Sequence, residues 1–108
     1  MRPFPDIEPG TVWLVGAGPG DPGLVTLLAH HALGQADVVI HDALVGDGVL
    51  EMIPEGTRRI AMGKRAGRTS PMQDAISSLM IEQARAGKRV VRLKGGDPFV
   101  FARGAEEI

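Results

Sequence analysis

Two residues of the 108-residue chain have the side chains and surroundings to move a proton beside a ligand: Asp42, closing an apolar run, and Lys64, flanked by glycines. A carboxylate in a crevice accepts a proton or binds a hydroxyl. A lysine binds a carboxylate as a point charge, or delivers a proton when desolvated. The competing roles are a turn or N-cap aspartate for Asp42 and plain charge steering for Lys64. Lys64 lies in Gly63-Lys64-Arg65-Ala66-Gly67-Arg68, one of three glycine clusters; the others are Gly16-Ala17-Gly18-Pro19-Gly20-Asp21-Pro22 and Gly95-Gly96-Asp97-Pro98-Phe99. Each follows a run that reads as a strand, which puts all three at the carboxyl edge of one sheet, where open α/β folds hold ligands. Tight connections with no ligand are the alternative use of such glycines.

The first cluster starts like a dinucleotide fingerprint, with Gly16-x-Gly18 after a strand and Asp42 lying 24 residues beyond Gly18. The third glycine of that fingerprint is missing: position 21 is Asp, whose carboxylate would cap the following helix and occupy the partly positive terminus meant for a pyrophosphate. A nucleoside ligand without phosphates tolerates this arrangement, and S-adenosylmethionine is the common cofactor of that kind.

Charge points to the other ligand. The totals nearly cancel, at 12 Lys+Arg against 13 Asp+Glu, but residues 1–57 carry one cation against eight acids and residues 58–108 eleven cations against five acids. Arg58, Arg59, Lys64, Arg65 and Arg68 form a cationic stretch with no acid inside it, which suits a polyanion; a solvated face balancing the acidic half is the simpler reading. With no cysteine, disulfides, thiolate catalysis and sulfur-ligated metals are excluded. The three histidines, His30, His31 and His41, have no ligand-spaced partner and read as packing or surface residues, so no metal is expected. Aromatic residues make up 4% of the chain and form no stacking cluster, which argues against nucleic acid. Without a basic leader followed by an apolar run, or any stretch near the roughly 20 apolar residues that span a bilayer, the default is a cytoplasmic protein that does not enter membranes.

Positioning these residues requires short strands and intervening helices. Met1–Gly10 is proline-rich and aperiodic and reads as a flexible leader, with one domain over 11–108. Thr11–Val15, Asp37–His41, Arg58–Met62 and Arg89–Leu93 read as strands, and near-continuous apolar runs such as Val38-Val39-Ile40 suit a parallel sheet covered on both faces. Ser70-Pro71-Met72-Gln73 starts a helix with an N-cap, a first-turn proline and a capping-box Gln; Ile76, Leu79, Met80 and Gln83 continue its stripe until Gly87. Asp21-Pro22 opens an earlier helix with Leu24, Leu27, Leu28 and His31 on one face, and Asp47–Met52 is a shorter one. The β-α-β-α-β-α-β order predicts a doubly wound α/β domain with right-handed crossovers.

The three clusters in this order, the last extended as Val90-Val91-Arg92-Leu93-Lys94-Gly95-Gly96-Asp97-Pro98-Phe99-Val100-Phe101, resemble the tetrapyrrole methylases over residues 11–108. The likeness is strongest to the members that methylate uroporphyrinogen III. It implies the N-terminal half of a two-domain, homodimeric enzyme, with the chain ending as a helix after the third loop begins. It also implies S-adenosylmethionine-dependent C-methylation of uroporphyrinogen III to precorrin-2, toward sirohaem or cobalamin. Carried over, Pro19, Gly95, Gly96, Asp97 and Val100 contact the cofactor, Asp42 is the proton acceptor, Lys64 the proton donor, and Arg65 and Arg68 meet substrate carboxylates. Where the family usually has Tyr-Asp-Arg this chain has His41-Asp42-Ala43, which removes one cation from the expected site; Ala102-Arg103-Gly104-Ala105 replaces the usual Gly-Arg-Gly-Gly. The alternatives are another corrin-ring methylase or a diphthine synthase and, from a different class, a non-catalytic nucleotide-binding module, against which Asp21 argues.

Overall fold

The computed structural model describes residues 5–18, 22–42, 45–62, 70–95 and 99–104. Among these, the strands are β1 (Thr11–Gly16), β2 (Val38–His41), β3 (Arg58–Ala61), β4 (Val90–Lys94) and β5 (Phe99–Gly104), forming one sheet in the order β3-β2-β4-β1-β5. The first four run parallel, and each begins and ends within a residue of its expected bounds. Their β-branched residues explain why: Val38, Val39 and Ile40 are all buried, so both faces of the strand need apolar cover.

The helices α1 (Leu27–Gln35), α2 (Asp47–Leu50) and α3 (Ser70–Arg85) supply that cover from opposite sides. Trp13, Val15, Val39, Val91 and Leu93 pack with Ala29, Ala32 and Leu33 of α1 and with Val45, Val49 and Ile53 around α2. The alternate residues Val12, Val38, Ile40 and Val90 pack against Ile76, Met80 and Ala84 of α3. The connections from β1 to β2 and from β2 to β3 step one way across the sheet over the α1 face. The return from β3 to β4 passes over the α3 face, as a consistent handedness of crossover demands.

Four expectations change on contact with the structure. The helix expected from Asp21-Pro22 is a single 3-10 turn over Pro22–Leu24, and α1 starts only at Leu27, its N-cap supplied by Thr26, whose Oγ1 accepts from Ala29 N–H at 3.0 Å. That break resets the helical phase. Leu24 and Leu27 are 54% and 72% exposed, while Ala29, Ala32 and Leu33 form the buried face. Second, Phe99–Gly104 is a fifth strand, antiparallel to β1, where no strand is expected from the sequence; residues 105–108, where the chain is expected to enter a helix, lie outside the described residues. Only four residues separate β4 from β5, too few for the crossover a parallel strand needs, so a strand that starts where β4 ends must run back the other way. Third, residues 5–10, expected within a flexible leader, are tied to the domain. Ile7 is buried, its N–H donates to Gln35 Oε1 at 2.7 Å and its carbonyl accepts from Arg89 Nε at 3.0 Å. Fourth, the cationic stretch divides: Arg58 and Arg59 start β3 at its amino end, about 10 Å of strand rise from the edge that carries the loops.

The end of α3 agrees with the sequence. Gly87 has φ +83°, its N–H donates to the Ala84 carbonyl, and Lys88 N–H donates to the Gln83 carbonyl, which closes the last turn as a Schellman motif.

Candidate active site at the carboxyl edge of the sheet

The register brings the functional stretches to one level. Gly16 pairs with Lys94, and His41 pairs with Leu93 on one side and Ala61 on the other. Asp42, the Gly16–Gly18 loop and Gly95 therefore all emerge at the same edge of three adjacent strands, β2, β4 and β1. The edge is stitched together by Ala17 N–H donating to the Lys94 carbonyl at 2.7 Å and Met62 N–H donating to the His41 carbonyl at 2.8 Å. His41 Nδ1 donates to the Asp42 carbonyl at 3.2 Å, fixing the backbone where β2 ends.

The described part of this edge is unsuited to a pyrophosphate. The Ala17 N–H, which a phosphate-binding loop would turn toward its ligand, is spent on Lys94. The N-terminus of α1 lies beyond Thr26 and is capped by that side chain, so its dipole is not aimed into the Gly16–Gly18 loop. Gly18 has φ +82°, a backbone shape that side chains resist, so the loop stays bare and close to whatever binds above it. Among the described residues the edge presents bare backbone and no phosphate cradle, which fits a nucleoside cofactor such as S-adenosylmethionine.

Beneath the edge lies a charge. Arg92, in the middle of β4, is 6% exposed, and Asp42 is 8% exposed. Burial pushes the Arg92 guanidinium below its ordinary range, and the Asp42 charge acts against that shift. Arg92 Nη1 donates to the Leu93 carbonyl at 3.0 Å.

A family model described as tetrapyrrole (corrin/porphyrin) methylases matches residues 11–108. The chain belongs to this family. A uroporphyrinogen-III C-methyltransferase from Sinorhizobium sp is 60% identical over 104 residues, covering 96% of this chain and 37% of that protein. Siroheme synthase 1 of Klebsiella pneumoniae is 56% identical over 104 residues, covering 96% of this chain and 22% of its own length. Among solved structures, the uroporphyrin-III C-methyltransferase of Thermus thermophilus complexed with S-adenyl homocysteine superposes with TM-score 0.67 at 49% identity, covering 89% of this chain and 40% of that one. The chain thus spans between a fifth and two fifths of the length of these relatives.

Of the residues the sequence assigns to this tetrapyrrole methylase domain, the structure brings Asp42 and Gly95 together at the edge. Val100 lies one register step below it, on β5 opposite Val15 and packed against the α1-side core. Pro19, Lys64, Arg65, Arg68, Gly96 and Asp97 lie outside the described residues. The sequence reading gave Arg92 no role. The available signal was a lone cation inside the apolar run Val90-Val91-Arg92-Leu93, where every neighbour is buried. Among the described residues no group of three or more His, Asp or Glu is placed to hold a metal, and no helix is long and apolar enough to cross a membrane.

Proposed function

We propose that this chain is the part of an S-adenosylmethionine-dependent methyltransferase that binds the cofactor and removes the proton, acting on uroporphyrinogen III to give precorrin-2. The observation that carries this reading is 60% identity, across nearly the whole chain, to a protein named for that activity. The bare, phosphate-averse edge beside Asp42 is the physical support. A cobalt precorrin-4 methyltransferase also superposes, with TM-score 0.65, but at 34% identity against 49% for the Thermus enzyme, so methylation of a corrin ring is the second reading.

When bound, the cofactor's sulfonium supplies a methyl group to an electron-rich pyrrole carbon of the substrate. The protein's part is mainly positioning. Gly95, Gly96 and Asp97, with Pro19 and Val100, hold the cofactor; Arg65 and Arg68 bind substrate carboxylates through charge-assisted hydrogen bonds. Asp42 takes the proton lost as the methylated ring system rearranges, and Lys64 is the proton donor. The working enzyme is a cytoplasmic homodimer.

The test is to incubate the full-length protein with S-adenosylmethionine and uroporphyrinogen III and follow precorrin-2 formation, alongside calorimetric titration with S-adenosylhomocysteine and with NAD. Methylation with binding of S-adenosylhomocysteine alone is the expected result. Binding of NAD with no methyl transfer would instead establish a nucleotide-binding protein.

A further inference from the structure

The two charged side chains buried among the described residues are Asp42 and Arg92. Arg92 is opposite Ile40 on β2 and opposite Leu14 on β1, and it alternates with Val91 and Leu93, which belong to the α1-side core. Its place is therefore on the α3 side, with Val90, Ile40 and Leu14 as apolar neighbours. Asp42 directly follows β2, two residues beyond Ile40; if the alternation of the strand continues it falls on that same side, one diagonal step from Arg92, about 8 Å from the strand separation and rise, which a long side chain bridges.

A guanidinium in such a place is costly to desolvate, and an apolar residue of similar volume often serves stability as well or better. Packing alone does not account for Arg92. Its one described hydrogen bond reaches the carbonyl of Leu93, one residue nearer the carboxyl edge, and Asp42 lies close enough for its charge to act on the guanidinium. No buried side-chain nitrogen or oxygen among the described residues lacks a hydrogen-bond partner, so the charge is accommodated rather than stranded.

We propose that Arg92 is a positioning residue of the active site, a fixed cation beneath the cleft floor that sets the direction in which the Asp42 carboxylate faces the substrate. This rests on the reading of Asp42 as the proton acceptor. The sheet supplies the frame: β4 is paired on both sides, which fixes the Arg92 backbone relative to the end of β2.

A double-mutant cycle in the full-length protein tests it, with Asp42→Asn, Arg92→Met and the pair together, each assayed for kcat, KM for uroporphyrinogen III and S-adenosylhomocysteine affinity. Arg92→Met is expected to lower kcat by about 10²-fold, the scale of an ångström's misplacement of a reacting group, while cofactor affinity stays within about twofold. In the Asp42→Asn background the same change is expected to cost little more. Should Arg92→Met melt below the assay temperature, Arg92→Lys carries the cycle. It keeps the charge and the stem but not the fork, and it should fall between wild type and Asp42→Asn in kcat. Near-wild-type turnover of Asp42→Asn overturns the reading of Asp42 itself. A defective Asp42→Asn combined with fully multiplicative losses, or a parallel fall in cofactor affinity, overturns the pairing alone and leaves Arg92 a structural residue.

Discussion

Arg92 on β4 and Asp42 just past the end of β2 are both buried, and Arg92 pairs with Ile40, two positions before Asp42. The relation is set by backbone register, because the pairing of Ile40 with Arg92 fixes how far beyond it Asp42 can lie. A slip of one residue between β2 and β4 would move one of the pair to the opposite face. This edge of the sheet therefore inherits its geometry from the pairing of the strands.

Replacing Asp42 by Asn keeps volume and capping ability but removes the proposed base. Turnover is expected to fall by at least about 10²-fold, the usual scale of a lost general base, with S-adenosylhomocysteine affinity nearly unchanged. Steady-state kinetics and calorimetry on one preparation check both halves. An Asp42 that only capped a turn would tolerate the change, since Asn caps about as well.

Neutralising Arg65 and Arg68 together is expected to raise KM for the porphyrinogen and flatten its dependence on ionic strength, leaving S-adenosylhomocysteine affinity alone. Arg58→Gln with Arg59→Gln serves as the control. These two lie at the opposite end of β3, and Arg59 Nη2 already donates to the Ile53 carbonyl at 3.3 Å, so substrate KM should not respond. An equal effect of both pairs would mean that general charge, and not the loop, attracts the substrate.

The burial of α1 predicts contrasting costs for two leucines six residues apart. Leu33→Ala, at a fully buried position, should destabilise by about 2–5 kcal/mol, whereas Leu27→Ala, 72% exposed, should stay within about 0.5 kcal/mol. Denaturant melts of the two variants measure the difference. Similar costs would place Leu27 in the core, as the original stripe had it.

Thr26→Ala removes the side chain that accepts from Ala29 N–H and is expected to cost about 1 kcal/mol. Thr26→Ser should restore most of it. Thermal unfolding resolves the pair, and equal stability of Thr26→Ala and wild type would show that the cap contributes nothing.

What the sequence revealed and what it hid follow from the range of the interactions involved. The strands were legible because residues such as Val38-Val39-Ile40 can only be satisfied with apolar cover on both sides, and the end of α3 because Gly87 adopts a backbone shape favoured by glycine. The face of α1 was misread because one threonine cap shifts the helix start and rotates the stripe. That decision is local and is weighed against tertiary packing. The direction of β5 depends on where β4 leaves the sheet, a non-local fact. Asp42 is singled out in the sequence by its chemistry, and the structure places it just past the end of β2. Arg92 went unassigned because its significance is a cross-strand relation, and no spacing along the chain encodes the pairing of residue 40 with residue 92.

The strand order has a consequence for how the protein comes into being. β1 does not touch β2; its parallel partner is β4, so Val12 meets Val90, 78 positions later. The centre of the sheet has a high contact order and cannot close until β4 has been synthesised. Throughout that interval Trp13 and Val15 have only α1 and the residues around α2 to cover them. A nascent chain in this state presents an unpaired apolar strand and is a natural client for chaperones, and slow codons between α3 and β4 would lengthen its exposure.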